Sequence, residues 1–368
     1  MPNNQSFTPP TQQQTHSNNF VKNDTITVIK GIAIILMVIG HTMSPFGGFI
    51  YAFHIPLFFL VAGYCFKEKY CKDVKTFTIH RVKGLWWPFL KWNFVFIILH
   101  NALFGWGIYE DSYTLQETAK HILKTVFMTG SEQMLGGYWF LGGLFMASMA
   151  SWGILALTKC RIKYLAASMI VLLLTCMVLN TLFPTTKPVN DMSAILFFVI
   201  FFISGFVLKS LKNAEWVAIR HQGYLGIGLL VLTLLISLWI TGDMRTPYGW
   251  QLFIRYIGAV AGTVGLLILC KKMKNSALKR FFKFCGESTM FILTWHFVCF
   301  KLIDFILISA YNRPLSEFSQ FPTHRTLGQS YWWLYALAGV AIPLLLQISY
   351  NLIKKHLIQP TCKLKHSL

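Results

Sequence analysis

Apolar runs of about twenty residues succeed one another through this chain, and that repetition limits what it can fold into. A helix needs ~20 apolar residues to cross the hydrocarbon core of a bilayer. Ten such runs can be read: 25–43, 48–66, 85–104, 135–157, 164–183, 192–210, 222–241, 250–270, 289–310 and 330–353. Backbone in lipid must satisfy its own hydrogen bonds, so only helices or closed barrels span. Runs this long are not the alternating ten-residue segments of a barrel. The pattern therefore predicts an all-α, polytopic integral membrane protein of about ten transmembrane helices. Composition agrees: 55% of the residues are hydrophobic and only 12% charged, too few charges to cover a soluble domain. One further segment, 117–128, is amphipathic and is expected to lie along a surface rather than span.

A net charge of +20 would ordinarily point to nucleic acid, but its distribution points to topology and no nucleic-acid partner is expected. Of the 33 Lys and Arg, 23 fall on one side when loops are assigned alternately, six on the other and four inside spans. The positive-inside rule then places both termini and the five basic loops in the cytoplasm of a multi-pass inner-membrane protein. Residues 1–24 read as a polar, disordered tail, 25–356 as the membrane domain, and 357–368 as a basic cytoplasmic tail. The eight cysteines show no CxxC pairing, so neither a disulfide framework nor a metal site is expected.

Ionisable residues inside hydrocarbon are costly and mark candidate sites. Lys30 and His41 lie in the first run, eleven residues apart. Three helical turns separate them, with a net rotation of roughly 20°, so they share one face some 16 Å apart. A neutral imidazole at His41 can accept a proton from a hydroxyl or carry an acyl group. In the second run, FHIPLFFLVAGY places His54 and Pro56 near the outer face, and Gly63 where helices can pack closely. Arg81 and Lys83 precede Trp86 and Trp87, either as an interfacial anchor or as a phosphate clamp. The strip 271–283 is a second basic segment, read as topogenic. Trp139, Arg255 and His296 are further candidates. Lys301 and Asp304, three apart, are placed to neutralise each other.

Five ordered stretches resemble membrane-bound acyltransferase family 3. They are the Lys30–His41 pair, AFHIPLFFLVAGY, RVKGLWWPF, YWFLGGLF and GESTMFILTWHF ending near His296. The resemblance runs from about Thr25 to about Lys355. It departs where the family often has Arg, at Lys30, and at Gly84, where a second arginine would follow Arg81 by three. Members of this family O-acylate sugars and other hydroxyl compounds. The resemblance therefore implies acetyl-CoA as donor substrate, bound through Lys30, Arg81 and Lys83, with His41 catalytic. It implies a glycan or other hydroxyl acceptor and no permanently bound cofactor. The competing reading is a proton-coupled transporter or glycan flippase, because buried His, Arg, Lys and Asp also line carriers.

Overall fold

A computed structural model describes residues 11–210, 222–240 and 249–358 of the chain. Every regular element among the described residues is helical. In chain order the principal helices are α1 (Thr11–Gly40), α2 (Gly47–Tyr64), α3 (Val74–Arg81), α4 (Trp87–Gly105), α5 (Leu115–Val126), α6 (Trp139–Leu157) and α7 (Ile162–Leu182). They continue as α8 (Lys187–Ser210), α9 (Gln222–Trp239), α10 (Gln251–Lys272), α11 (Ala277–Glu287), α12 (Thr289–Ala310), α13 (Arg325–Ser330) and α14 (Trp332–Ile358). A π-helical turn, Val82–Trp86, leads into α4, and a 3-10 segment, Gln133–Tyr138, leads into α6.

Among the described residues, seven stretches are long and apolar enough to cross a membrane: α2, Gln133–Leu157, α7, α8, α10, α12 and Trp332–Lys355. The other three expected spans are also helical but fall short of that standard. The apolar part of α1 follows a polar first half. Helix α4 carries Pro88, Lys91, Asn93, His100 and Asn101 among its apolar residues. Helix α9 is apolar only over Gly223–Trp239. Helix α1 also begins at Thr11, within the stretch expected to be a disordered tail. From Thr11 to Ile39 the sequence holds no proline and one glycine, so nothing breaks the run. Residues 1–10 and the C-terminal tail from 359 onward lie outside the described residues.

Two reciprocal glycine contacts mark close helix approaches. A Cβ on Gly63 would fall 1.8 Å from the Phe202 carbonyl oxygen, and one on Gly205 1.8 Å from that of Leu60. Only glycine lets the α2 and α8 backbones meet in this way. Gly31 and Gly286 do the same for α1 and α11, against the carbonyls of Phe282 and Thr27. Around the α2–α8 seam the core is aromatic, with Phe59 stacked on Phe198 at 4.3 Å.

Described parts of several basic loops are in contact. Lys209 donates to the Phe66 carbonyl at 2.6 Å, and Trp152 Nε1 to the Tyr70 carbonyl at 2.8 Å. The Cys71 and Cys160 sulfurs lie 3.3 Å apart. Asp24, at the start of the apolar part of α1, pairs with Lys283 of α11 at 2.6 Å. Lys209 and the loops 67–84 and 158–163, which the charge count sorts to one side, are therefore neighbours in space, as are the start of the apolar part of α1 and α11.

The amphipathic segment behaves differently from a simple surface helix. Helix α5 opens on a capping box, with the Thr114 hydroxyl accepting from the Glu117 N–H and the Glu117 carboxylate accepting from the Thr114 N–H. It then doubles back along α4. Asn101 bonds both backbone groups of Tyr113 near one end, and Trp86 Nε1 donates to the Val126 carbonyl at 3.0 Å near the other.

Candidate active site

The first residue past α1 is His41, whose N–H still donates to the Met37 and Val38 carbonyls. Its ring lies against His296 of α12. The two imidazoles are stacked with centroids 5.3 Å apart and planes 17° apart, and His296 Nε2 is 3.3 Å from His41 Nδ1. Backbone carbonyls fix the direction of that bond. His296 Nδ1–H donates to Ile292 and Leu293, both at 3.1 Å. A neutral ring that donates from Nδ1 carries its lone pair on Nε2. His296 Nε2 therefore accepts from His41 Nδ1–H, which leaves the basic lone pair of His41 on Nε2. Such second-partner control of a tautomer is what prepares a histidine to act as a base.

Two cavities meet at this ring. The smaller, about 200 Å³, is mostly apolar. It runs between Lys30 and His41, past Ile34, Met37, Leu85 and Leu293, and reaches His54 and Thr289. The larger, about 640 Å³, is lined by His41, Tyr51, the turn Met128–Ser131, Phe297 and the loop residues Phe321 and Pro322. His41, Ile55 and Trp139 belong to both linings. Gly137 lies beside both imidazoles, and a Cβ there would sit 3.0 Å from Leu293 and in ordinary contact with the two rings.

The sequence-predicted residues are distributed as follows. Lys30 and His41 share the smaller cavity, as the helix geometry requires. His54 lines it too, with Nδ1–H donating to the Ile50 carbonyl at 2.7 Å. Trp139 stands at the junction of both cavities. His296, ranked below His41 from sequence, backs it directly and is fully buried. Arg81 and Lys83 line neither cavity. The Arg81 guanidinium lies over Phe77 at 5.0 Å and Phe202 at 5.8 Å, and Lys83 is exposed. Both precede Leu85 by a few positions, and Leu85 does line the smaller cavity. Arg255 is buried on α10, which packs on α9 and α2, and lines neither cavity.

Two buried polar networks brace the larger cavity. Lys301 and Asp304 do pair, at 3.1 Å, and they do more than neutralise each other. Lys301 also donates to the Phe318 carbonyl at 2.8 Å and to that of Gln320. Asp304 accepts from the His324 N–H at 2.9 Å and the Tyr335 hydroxyl at 2.6 Å. Together they clamp the loop that carries Phe321 and Pro322. On the opposite wall Glu132 follows the turn Met128–Ser131. Its N–H donates to Asn93 Oδ1 at 2.8 Å, and its carboxylate lies 2.9 Å from His100 Nδ1. Sequence reading missed this second network. The one available signal was that Asn93 and His100 are polar and seven apart on an apolar helix, hence on one face.

The chain belongs to a class of membrane-embedded acyltransferases. The sequence pattern of the acyltransferase domain of family 3 matches residues 23–348, almost the whole chain, and the chain is a member of that family. No curated protein and no solved structure matches it.

Proposed function

We propose that this protein is an O-acyltransferase that moves an acetyl or similar short acyl group from acetyl-CoA to a hydroxyl of a sugar or glycan. The carrying observation is the His41 ring, at the junction of two cavities, with its tautomer set by His296. The smaller cavity suits a narrow, uncharged arm with a cation at one end. Lys30 lines it, and Arg81 and Lys83 precede Leu85 on the segment that contributes to its wall. Phosphates bound at that basic end would let pantetheine extend toward His41. The larger cavity, with backbone and hydroxyl groups at Thr129–Ser131, suits a polyhydroxyl acceptor.

His41 Nε2 takes the proton of the acceptor hydroxyl as that oxygen attacks the thioester carbonyl. The C–S bond then breaks, and the imidazolium returns the proton to the departing thiolate. The basic end of the bundle faces the cytoplasm in this reading. The donor then enters from the cytoplasm of a cell whose inner membrane holds the protein, and the acceptor from the opposite side. A carrier would not need a base aligned between two separate cavities, and the family match favours transfer over transport.

The test uses purified protein in nanodiscs, acetyl-CoA labelled in the acetyl group, and a glycolipid extract as acceptor. Coenzyme A thiol and base-labile label on the extract should appear together. His41→Ala should insert normally and lose both. Retention of near-normal transfer by His41→Ala refutes the assignment. Solute accumulation in liposomes without any acyl donor refutes the enzyme reading itself.

A further inference from the structure

At the basic end of the bundle two thiols from distant parts of the chain touch. Cys71 closes the 3-10 turn Glu68–Cys71, and Cys160 follows α6. Their sulfurs are 3.3 Å apart across 89 positions of sequence, and both residues are half-buried. Neither chain segment meets the other by accident. Trp152 Nε1 on α6 donates to the Tyr70 carbonyl at 2.8 Å, beside Cys71, and so docks the turn. On the other side, Lys159 and Cys160 both adopt left-handed backbone, with φ of 51° and 56°. Two consecutive non-glycine residues in that region are sterically unfavourable and need tertiary support. Here that twist swings the Cys160 sulfur back to 3.6 Å from the Leu155 carbonyl and onto Cys71.

We propose that Cys71 and Cys160 form a dithiol modification site, closed to a disulfide by a peroxide and reopened by cellular thiols. A disulfide needs sulfurs about 2.05 Å apart, so the pair must close by roughly 1.3 Å. Both residues lie in turns rather than within spans, where that movement costs least. The chemistry balances without the membrane site. One thiol, as thiolate, attacks the peroxide O–O bond, giving a sulfenic acid and water. The second sulfur displaces that hydroxyl as water, so two thiols supply the two electrons that reduce one peroxide to two waters.

Burial, followed by the contact with Cys71, pushes the Cys160 thiol up to about 12. A thiol held protonated attacks peroxide slowly, so the closure is slow. A glutathione-buffered compartment holds the pair reduced until oxidant appears. Cys65 at the same end is exposed, and Cys176, Cys270, Cys285 and Cys299 are buried apart from the pair. The site is independent of what the chain acylates.

The experiment treats purified, reduced protein in detergent with hydrogen peroxide, blocks remaining thiols with N-ethylmaleimide, and maps peptides without reduction. The expected result is loss of two titratable thiols of the eight and a Cys71–Cys160 linked peptide that dithiothreitol removes. Oxidised wild type should melt at a higher temperature than reduced wild type. Cys71→Ser and Cys160→Ser should each abolish the peptide and the shift while keeping their unoxidised melting temperature. Recovery of Cys71 and Cys160 as separate maleimide adducts after peroxide, or pairing of Cys71 with Cys65 instead, overturns the proposal.

Discussion

Replacing His296 with phenylalanine isolates the role of the histidine pair. The substitution keeps a planar ring against His41, on which His296 stacks, and against Phe297 and Phe300, which it meets tilted and edge-on. It deletes two functions. The Nδ1–H donation to the Ile292 and Leu293 carbonyls disappears, which costs little because both carbonyls retain partners within α12. The acceptor for His41 Nδ1–H also disappears. That hydrogen is left facing a ring edge, an unsatisfied polar group costing about 1–3 kcal/mol. The imidazole escapes this by rotating or by moving its proton to Nε2, and either response removes the base from the cavity junction. At 1.4 kcal/mol per tenfold, 1–3 kcal/mol corresponds to roughly 5- to 150-fold, and its upper end meets the lower end of the ~10²–10⁴ range of general-base contributions. Turnover should therefore fall about 100-fold, with the donor Kd changed less than threefold. The assay is thiol release from acetyl-CoA in the presence of acceptor, at equal amounts of folded protein, with donor binding measured by calorimetry. Turnover within threefold of wild type would refute the tautomer argument.

Three other outcomes are expected. Lys30→Ala should weaken donor binding about tenfold while Lys30→Arg preserves it, since a phosphate partner is what the cavity end supplies; equal binding by wild type and Lys30→Ala would remove Lys30 from the donor site. Gly63→Ala puts a methyl 1.8 Å from the Phe202 carbonyl, an overpacking cost of about 3 kcal/mol, and should cut yield and melting temperature sharply, whereas Gly153→Ala, with nothing within 4 Å, should be neutral. Hydrogen bonds from Arg313 and then His324 hold the Glu317 carboxyl below the usual glutamate range. Its contribution to loop order is therefore present above ~4.3, the ordinary glutamate value, and is lost as pH falls through the lowered folded value. Hydrogen exchange over 315–324 should rise on acidification in wild type but not in Glu317→Gln.

The sequence alone determined the all-helical membrane class, because apolar run length against bilayer thickness leaves few choices. It also determined that Lys30 and His41 share a face, because helical periodicity is local. The grouping of several basic loops followed from charge counting, and the Lys301–Asp304 pair from i,i+3 spacing. Only tertiary structure decided what faces those residues. His41 and His296 are 255 positions apart, and no periodicity links residues on different helices. The same limit hid the His100–Glu132 network and the Cys71–Cys160 contact. It also hid the placement of Arg81 against Phe77 and Phe202 rather than in a cavity wall. Helix α5 shows the limit from another direction. Its amphipathic pattern marks one apolar face, and the tertiary structure leaves that face exposed at Leu115 and Leu123 while Thr125 is buried. Local patterns set which face of each element is apolar or charged. Packing sets which faces meet, and the site lies where they do.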